Sequence, residues 1–529
     1  MFNASAYRLT TKSLAGLSYS RTIIQPAITS SRRANCTEKS HHEEPTPPLP
    51  RHALLKPHLN YRHFAENVDA IALNIRDRNF KGVDIRAVVQ LHARYTSLVT
   101  ELNGLRSRRN ELSALSKNAP SPEERQPFIE EGKRLKDTIQ TAEAELATTE
   151  EFLLRQGLQI PNDTHSSAPI GPEPNARVLK IVGTPNTNET AGFELQDHVT
   201  LARRHDLLDL ESASLVSGTS FYYLKNDAAL LELALVQYAM SKARSCGFTP
   251  VITPDVVRTE MTHACGFQPR AGEMSQIYDV STATQGSEAS RMCLAGTAEV
   301  PLAGMYAKRV LGERELPVKM VGFGRAFRAE AGARGADTKG LYRVHQFSKV
   351  ELFALTTPEG SEVMMEEIRT LQENIFDELG LCFRVLDMPT QELGASAYRK
   401  YDMEAWMPGR NGWGEVSQSQ VISLFAFHAV PFPPASTIAN TQILSTTQIS
   451  STSNCTDYQS RRLSIRYRPT SSSGAKQGPA LEYVHTLNGT AIAVPRIIIA
   501  VLENFQRADG TVVIPEVLRG WMGGRETIG

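Results

Sequence analysis

Between residues 327 and 352 the chain reads FRAEAGARGADTKGLYRVHQFSKVEL, which sets arginines, an aromatic ring and carboxylates at spacings that can do chemistry. The connector EAGARGADTKG carries three glycines and excludes regular structure. Upstream of it, 319–327 has a strand's apolar content. Downstream, 341–355 alternates with a period of two, which predicts a strand that aligns Arg343, His345, Phe347, Lys349, Glu351 and Phe353 on one face. Such a face suits a nucleotide together with a small ammonium compound: a guanidinium forks onto phosphate oxygens, a ring stacks on a base, and a carboxylate accepts from an amine. A solvated strand face with ordinary ion pairs would show the same alternation.

The elements that must position these residues belong to a chain of 529 residues, long enough for two or three domains. Lys plus Arg equals Asp plus Glu at 57 each, so any nucleic-acid surface must be local. Six cysteines without CxxC pairs argue against a zinc ribbon and against a disulfide framework, and reduced thiols are the default. No apolar run is long enough to span a bilayer, so no membrane partner is expected; 491–502 is interrupted by Pro495 and Arg496. Residues 1–37 hold no Asp or Glu, while Arg8, Lys12, Arg21, Arg32 and Arg33 stand among many Ser and Thr. That composition is expected of a mitochondrial presequence, and a disordered basic tail would share it. A Pro-rich linker follows, so residues 1–53 are expected to be presequence and disordered linker, with folded structure from about Leu54.

Between 83 and 117, Leu91, Tyr95, Leu98, Leu102, Leu105 and Leu112 recur at steps of four and three, with Arg109 filling a skipped position. This is a heptad seam. After the breaker NAPSPEE (118–124) a second helical pattern runs through Phe128, Leu135, Ile139, Ala142, Leu146 and Leu153, which predicts an antiparallel helical hairpin. A dimerising coiled coil has the same periodicity. The cluster Arg106, Arg108 and Arg109, with Lys117 beyond, points instead to phosphate contacts.

The run TKGLYRVHQFSKVE resembles motif 2 of class II aminoacyl-tRNA synthetases, the seryl-tRNA synthetases in particular. The resemblance implies an α+β chain: an N-terminal antiparallel helical hairpin, the tRNA-binding domain, over 54–160, and over 161–529 a class II catalytic domain built on an antiparallel sheet with flanking helices. The arm would grip tRNA(Ser), by shape and backbone. By residue-for-residue likeness, Arg328 contacts the α-phosphate of ATP, Glu330 the adenine edge, Arg343 the γ-phosphate, and Phe347 stacks on the base; Ala329 and Val344 line the same pocket. Thr297, Ala298 and Glu299 form a TxE element for serine, and Thr297 and Glu299 would project to one side of an extended segment. Glu351 and Thr490 complete the serine pocket. The segment 487–506 resembles motif 3, a strand leading into a helix, with Arg496 on ATP phosphate. The helix at 228–243 and the strand at 247–257 resemble motif 1, which implies a homodimer. The implied activity is ATP-dependent ligation of serine to tRNA(Ser) in the mitochondrial matrix, with Mg²⁺ held through ATP by Glu415 and with no zinc. Neither a HIGH nor a KMSKS signature of the class I enzymes occurs. A synthetase-like RNA-binding protein without catalysis is the alternative, but it should have lost motif residues that are present here.

One stretch departs from the family. Trp413, Gly414 and Glu415 match the element with the Mg²⁺-holding glutamate, and relatives pass from it directly into a serine-rich run. Here 416–448 intervene without a single Asp, Glu, Lys or Arg, although 22% of the chain is charged. Val416 and Ser417 can be encoded as the donor-like GTGAGT, Ala439 and Asn440 as the branch-point-like GCTAAC, and Gln448 can end in the acceptor-like CAG. The insertion therefore reads as a translated intron. Its removal joins Glu415 to Ile449, Ser450 and Ser451 as one ATP-binding strand, and the insert itself is expected to loop out as poorly packed coil.

Overall fold

The computed structural model describes residues 55–267, 276–281, 291–329, 339–413, 448–470 and 480–529. The expected presequence and linker through residue 54, Glu330, Glu415 and the insertion as far as residue 447 lie outside the described residues.

The arm is two long helices, α3 (Ile85–Asn118) and α4 (Pro122–Leu158), preceded by the short α1 (Tyr61–Glu66) and α2 (Val68–Asp77). At 34 residues α3 is about 50 Å long. The ion pairs Arg94–Glu145 and Arg108–Glu131 run in opposite chain directions, so the helices are antiparallel. Leu98, Leu102 and Leu112 of the first seam and Ile139, Ala142 and Leu153 of the second are buried. The breaker is narrower than its composition suggests. Ser121 caps α4 by accepting from Glu124 N–H, and Pro122 occupies the first turn, where its missing donor costs nothing. The arm's base is tied to the rest of the chain by Arg78, fully buried, which donates to Asn162 O at 2.6 Å and Ala397 O at 2.9 Å.

The larger part is built on an eight-stranded sheet: β1 (Arg177–Val182), β2 (Thr249–Ile252), β3 (Val318–Phe327), β4 (Gln346–Thr356), β5 (Phe383–Asp387), β6 (Arg399–Ala405), β7 (Gln448–Asn454) and β8 (His485–Ala493). Their spatial order is β1-β5-β6-β7-β8-β4-β3-β2, antiparallel except where β2 joins β3. The helices that bear on the site and the core include α5 (His198–Arg204), α6 (Asn226–Ser245), α7 (Glu299–Gly304), α8 (Ser361–Glu378), α9 (Tyr458–Leu463) and α10 (Val494–Asn504). Apolar residues of α6, α8 and α10 pack with Leu352, Ala354, Met403 and Ile492 into the main core. The opposite face is kept low by Gly322 and Gly324 of β3. A Cβ on Gly322 would lie 2.8 Å from Leu302 of α7, and one on Gly324 2.7 Å from Thr253 Oγ1, so a side chain at the first would press on the helix and one at the second on the segment after β2.

Three expectations need correction. The strand expected at 341–355 starts at Gln346, because the backbone before it is bonded elsewhere: Leu341 N–H to His198 and His345 N–H to Ser220 O. Arg343 and His345 therefore reach the site from a turn. The strand expected over 247–257 and to end around Pro254, which has no N–H for a ladder, does end there as Thr249–Ile252, but Val256–Arg258, inside the expected span, pairs in a separate small sheet. Thr297 and Glu299 do not sit on an extended segment, since Glu299 opens α7.

Candidate active site

The polar face of the sheet brings Thr297, Glu299, Lys349, Glu351, Asn488 and Thr490 together, all of them buried. Glu351 and Thr490 are directly opposed on β4 and β8. Lys349 Nζ lies 2.6 Å from Glu351 Oε2 and donates to Thr297 Oγ1 at 3.1 Å. Glu299 Oε1 accepts from Gln459 Nε2 at 2.6 Å and from Asn488 Nδ2 at 2.9 Å. Burial, and next to it the nearby Glu351 carboxylate, push Glu299 up to about 7, against the lowering effect of Gln459 and Lys349. Two acids thus share one resident ammonium in a water-poor pocket. A second ammonium entering it would find hydrogen-bond acceptors already oriented.

Beside this pocket β7 and β8 part. Their pairing runs only as far as Thr452 opposite Gly489, and the buried Gln372 of α8 then donates to both Ser451 O (2.9 Å) and Thr490 O (3.0 Å). A side chain on Gly489 would collide with Ile368 at 2.5 Å, so the wedge depends on glycine there. Ser451 Oγ is left 3.4 Å from Thr490 Oγ1, Ser450 Oγ donates to Thr490 O, and Ile449 turns into the core at a bulge. Arg496, in the first turn of α10, donates to Gln448 O at the start of β7. Pro495 before it sits where a helix tolerates proline. The Ser451 hydroxyl is an oxygen ligand of the kind Mg²⁺ takes.

Arg328 follows β3, with its guanidinium carbon 5.4 Å from the Phe347 ring centroid. Its N–H donates to His345 O at 2.9 Å, and the His345 ring, stacked on Phe221, lies 2.9 Å from Arg328 O through Nδ1. Ala329 N–H is held by Gln276 O, and Val344 is buried beside the half-buried Arg343. On the arm, Arg106 pairs with Glu143 at 2.7 Å and Arg108 with Glu131 at 3.1 Å, while Arg109 is exposed with no ion pair among the described residues. Two of the three arm arginines therefore help to join the helices.

Three members of the site were missed from the sequence. Asn488 stands two residues before Thr490 on the same strand face, a spacing that could have found it. Lys349 lay on the expected face without a role. Gln459 comes from α9, and nothing in its local pattern announces it.

Two family models match the chain: the tRNA synthetase class II core domain (G, H, P, S and T) over residues 278–505 and the seryl-tRNA synthetase N-terminal domain over 59–164. A serine–tRNA ligase of Treponema denticola is 43% identical over 88% of this chain and 99% of its own length. A mitochondrial serine–tRNA ligase of Schizosaccharomyces pombe is 40% identical over 87% of each chain. Among solved structures, a seryl-tRNA synthetase from Pyrococcus horikoshii complexed with ATP superposes with a TM-score of 0.73 at 30% identity, covering 89% of this chain and 99% of that one.

Proposed function

The chain belongs to the seryl-tRNA synthetase family, and from that premise we infer that it is an ATP-dependent serine–tRNA ligase that forms seryl-adenylate and passes the seryl group to tRNA. The observation that carries this is the buried set of Thr297, Glu299, Glu351 and Asn488, costly to keep in a protein without an ammonium substrate. An RNA-binding relative without catalysis would have no reason to retain it.

Serine's carboxylate oxygen attacks the α-phosphorus of ATP, the bond to the β-phosphate bridging oxygen breaks, and pyrophosphate leaves with that electron pair. The 2′- or 3′-hydroxyl of the terminal adenosine then attacks the seryl carbonyl and AMP leaves. Neither step needs a protein nucleophile. Arg328 neutralises the α-phosphate as charge shifts onto it, Arg343 and Arg496 hold the outgoing phosphates, and Phe347 stacks the base, with Ala329, Glu330, Val344, Ile449, Ser450 and Ser451 enclosing the nucleotide. Glu415 would hold ATP-bound Mg²⁺, which supplies further charge neutralisation when bound. Thr297, Ala298, Glu299, Glu351 and Thr490 orient serine. Because the buried acceptors are left unpaired by alanine, the site discriminates against it. Serine-dependent exchange of pyrophosphate into ATP tests the assignment. Exchange driven as well by alanine as by serine would refute it.

We further propose that 54–160 is the tRNA-binding domain, with Arg109 reaching phosphate, and that 161–529 is the catalytic domain. Exposed apolar residues on α6 and on the edge strand β2, among them Leu233 (62% exposed) and Ile252 (84%), support a homodimer through this face. The acid-free N-terminus, and the mitochondrial ligase among the relatives, support import into the mitochondrial matrix.

A further inference from the structure

His198 on α5 and Glu503 on α10 lie outside the pocket and take no part in the chemistry above, yet their side chains are 1% and 0% exposed. Imidazole Nε2 accepts from Leu341 N–H at 3.2 Å, so the ring proton is on Nδ1, which donates to Glu503 Oε1 at 2.9 Å. These two contacts select one neutral tautomer. Leu341 stands two residues before Arg343, at the end of the connector that joins β3 to β4. The chain approaches the imidazole closely there: Gly340 has φ +63°, and a Cβ on it would lie 2.1 Å from Nε2. The same root is fastened on both sides. Lys339 Nζ pairs with Asp197, the cap of α5, at 3.0 Å, and Tyr342 meets the His198 ring edge-on beneath the Arg410 guanidinium. Glu503 stands about two turns after Arg496, on roughly the same side of α10. It also accepts from His198 N–H (3.0 Å) and Gly409 N–H (2.8 Å), so the carboxylate keeps two donors when the imidazole is removed.

We propose that His198 is a positioning residue that locks the root of the β3–β4 connector to α10, holding Arg343 and Arg496 in one frame for the ATP phosphates. This rests on the phosphate roles given to those two arginines. A packing role alone predicts that any side chain of similar volume suffices. The lock predicts that the acceptor facing Leu341 N–H is what counts. Glutamine reaches the place of Nε2 with an amide oxygen, whereas asparagine reaches only the place of Nδ1.

The experiment compares H198Q with H198N in the full chain, by KM for ATP and for serine in pyrophosphate exchange and by hydrogen exchange at the Leu341 amide. H198N is expected to raise the ATP KM by about tenfold with the serine KM unchanged, the scale of one lost hydrogen bond, and to lose protection at Leu341. H198Q is expected to stay within about threefold of the parent and to keep that protection. Equal ATP KM values in the two variants, or equal protection at Leu341, overturn the proposal. Alanine at Arg343 or Arg496 with an unchanged ATP KM would instead refute the phosphate roles, and the Leu341 amide would still report whether the lock exists.

Discussion

Two carboxylates and one ammonium share the buried pocket proposed to take serine, and their charge balance would govern how the substrate enters. With Glu299 at about 7, the empty pocket below that pH holds a proton on it, and an arriving ammonium favours the carboxylate instead. Serine binding should therefore release a proton below about pH 7, and serine affinity should rise as pH passes through that value and then level off. Calorimetry in buffers of differing ionisation enthalpy reads the proton; the same release at about pH 6 and about pH 8.5 would exclude Glu299 as the partner. On the empty fold the raised value acts in the other direction. Its contribution to stability is complete below the ordinary value of 4.5 and is lost as pH rises through about 7, so E299Q should flatten the pH dependence of the melting temperature across that window. Because E299Q also removes a charged acceptor, it should raise the serine KM by roughly tenfold to a hundredfold. The role proposed for Arg328 is to act on a charge that develops during transfer. R328A should cut the exchange rate by about a hundredfold to a thousandfold with an unchanged melting temperature, and undiminished exchange would remove it from the reaction.

At the scale of elements, the arm and the sheet make separable predictions. Leu102, Ile139 and Ala142, with Leu105 and Leu146 packed against them, form a small cluster of their own along the arm, whereas Leu153 packs with Ile71, Ile75, Ile85 and Val88 in the base. Replacing the distal arm with a short turn should therefore spare pyrophosphate exchange while abolishing aminoacylation; equal loss of both would mean that the arm also supports the sheet. The arm was legible because its signal is local: each buried position recurs every three or four residues, and capping needs only Ser121 and Pro122. Strand β3 was legible from its own apolar run, and the strand-to-helix passage of β8 into α10 through its resemblance to motif 3. What escaped was set by contacts distant in sequence. Alternation through Leu341, Arg343 and His345 looks like strand, but those amides are claimed by His198 and Ser220, and no pattern within the segment can report that. Gln459 enters the pocket from a different helix altogether. Most of the arginines and carboxylates were found by residue-for-residue resemblance, Arg496 also because a cation is costly in an apolar run, and Asn488 was missed although it shares a strand face with Thr490.

At the scale of the whole molecule, two surfaces bear on assembly and on the gene. Strand β2 is an edge of the main sheet that carries the exposed Ile252, and α6, which also exposes Leu233, leaves a second apolar side chain uncovered in a monomer. Changing both to Asp should convert a dimer to a monomer by light scattering; a dimer that survives would place its interface elsewhere. The insertion makes the sharper prediction. Strands β6 and β7 are antiparallel neighbours with Asp402 opposite Ser451, and the chain has already reversed between them at Pro408–Arg410, where Met407 bridges Gly412. The connection therefore closes without the added residues. Ile449, Ser450 and Ser451 are seated in the sheet with Gln372 and Thr490 as partners, so the strand after the insertion is held by its own contacts. Of 416–448 only Gln448 enters the described register, opposite Glu404 and accepting from Arg496 through its backbone carbonyl, a place that the backbone of Glu415 would take in a shortened chain. A chain lacking 416–448 should fold and exchange pyrophosphate at least as fast as the full one, and mature transcripts sequenced across the codon for Glu415 should run directly into that for Ile449. Transcripts that uniformly keep the intervening codons would make the segment a true part of the protein, and a slower shortened chain would then give it a role in catalysis.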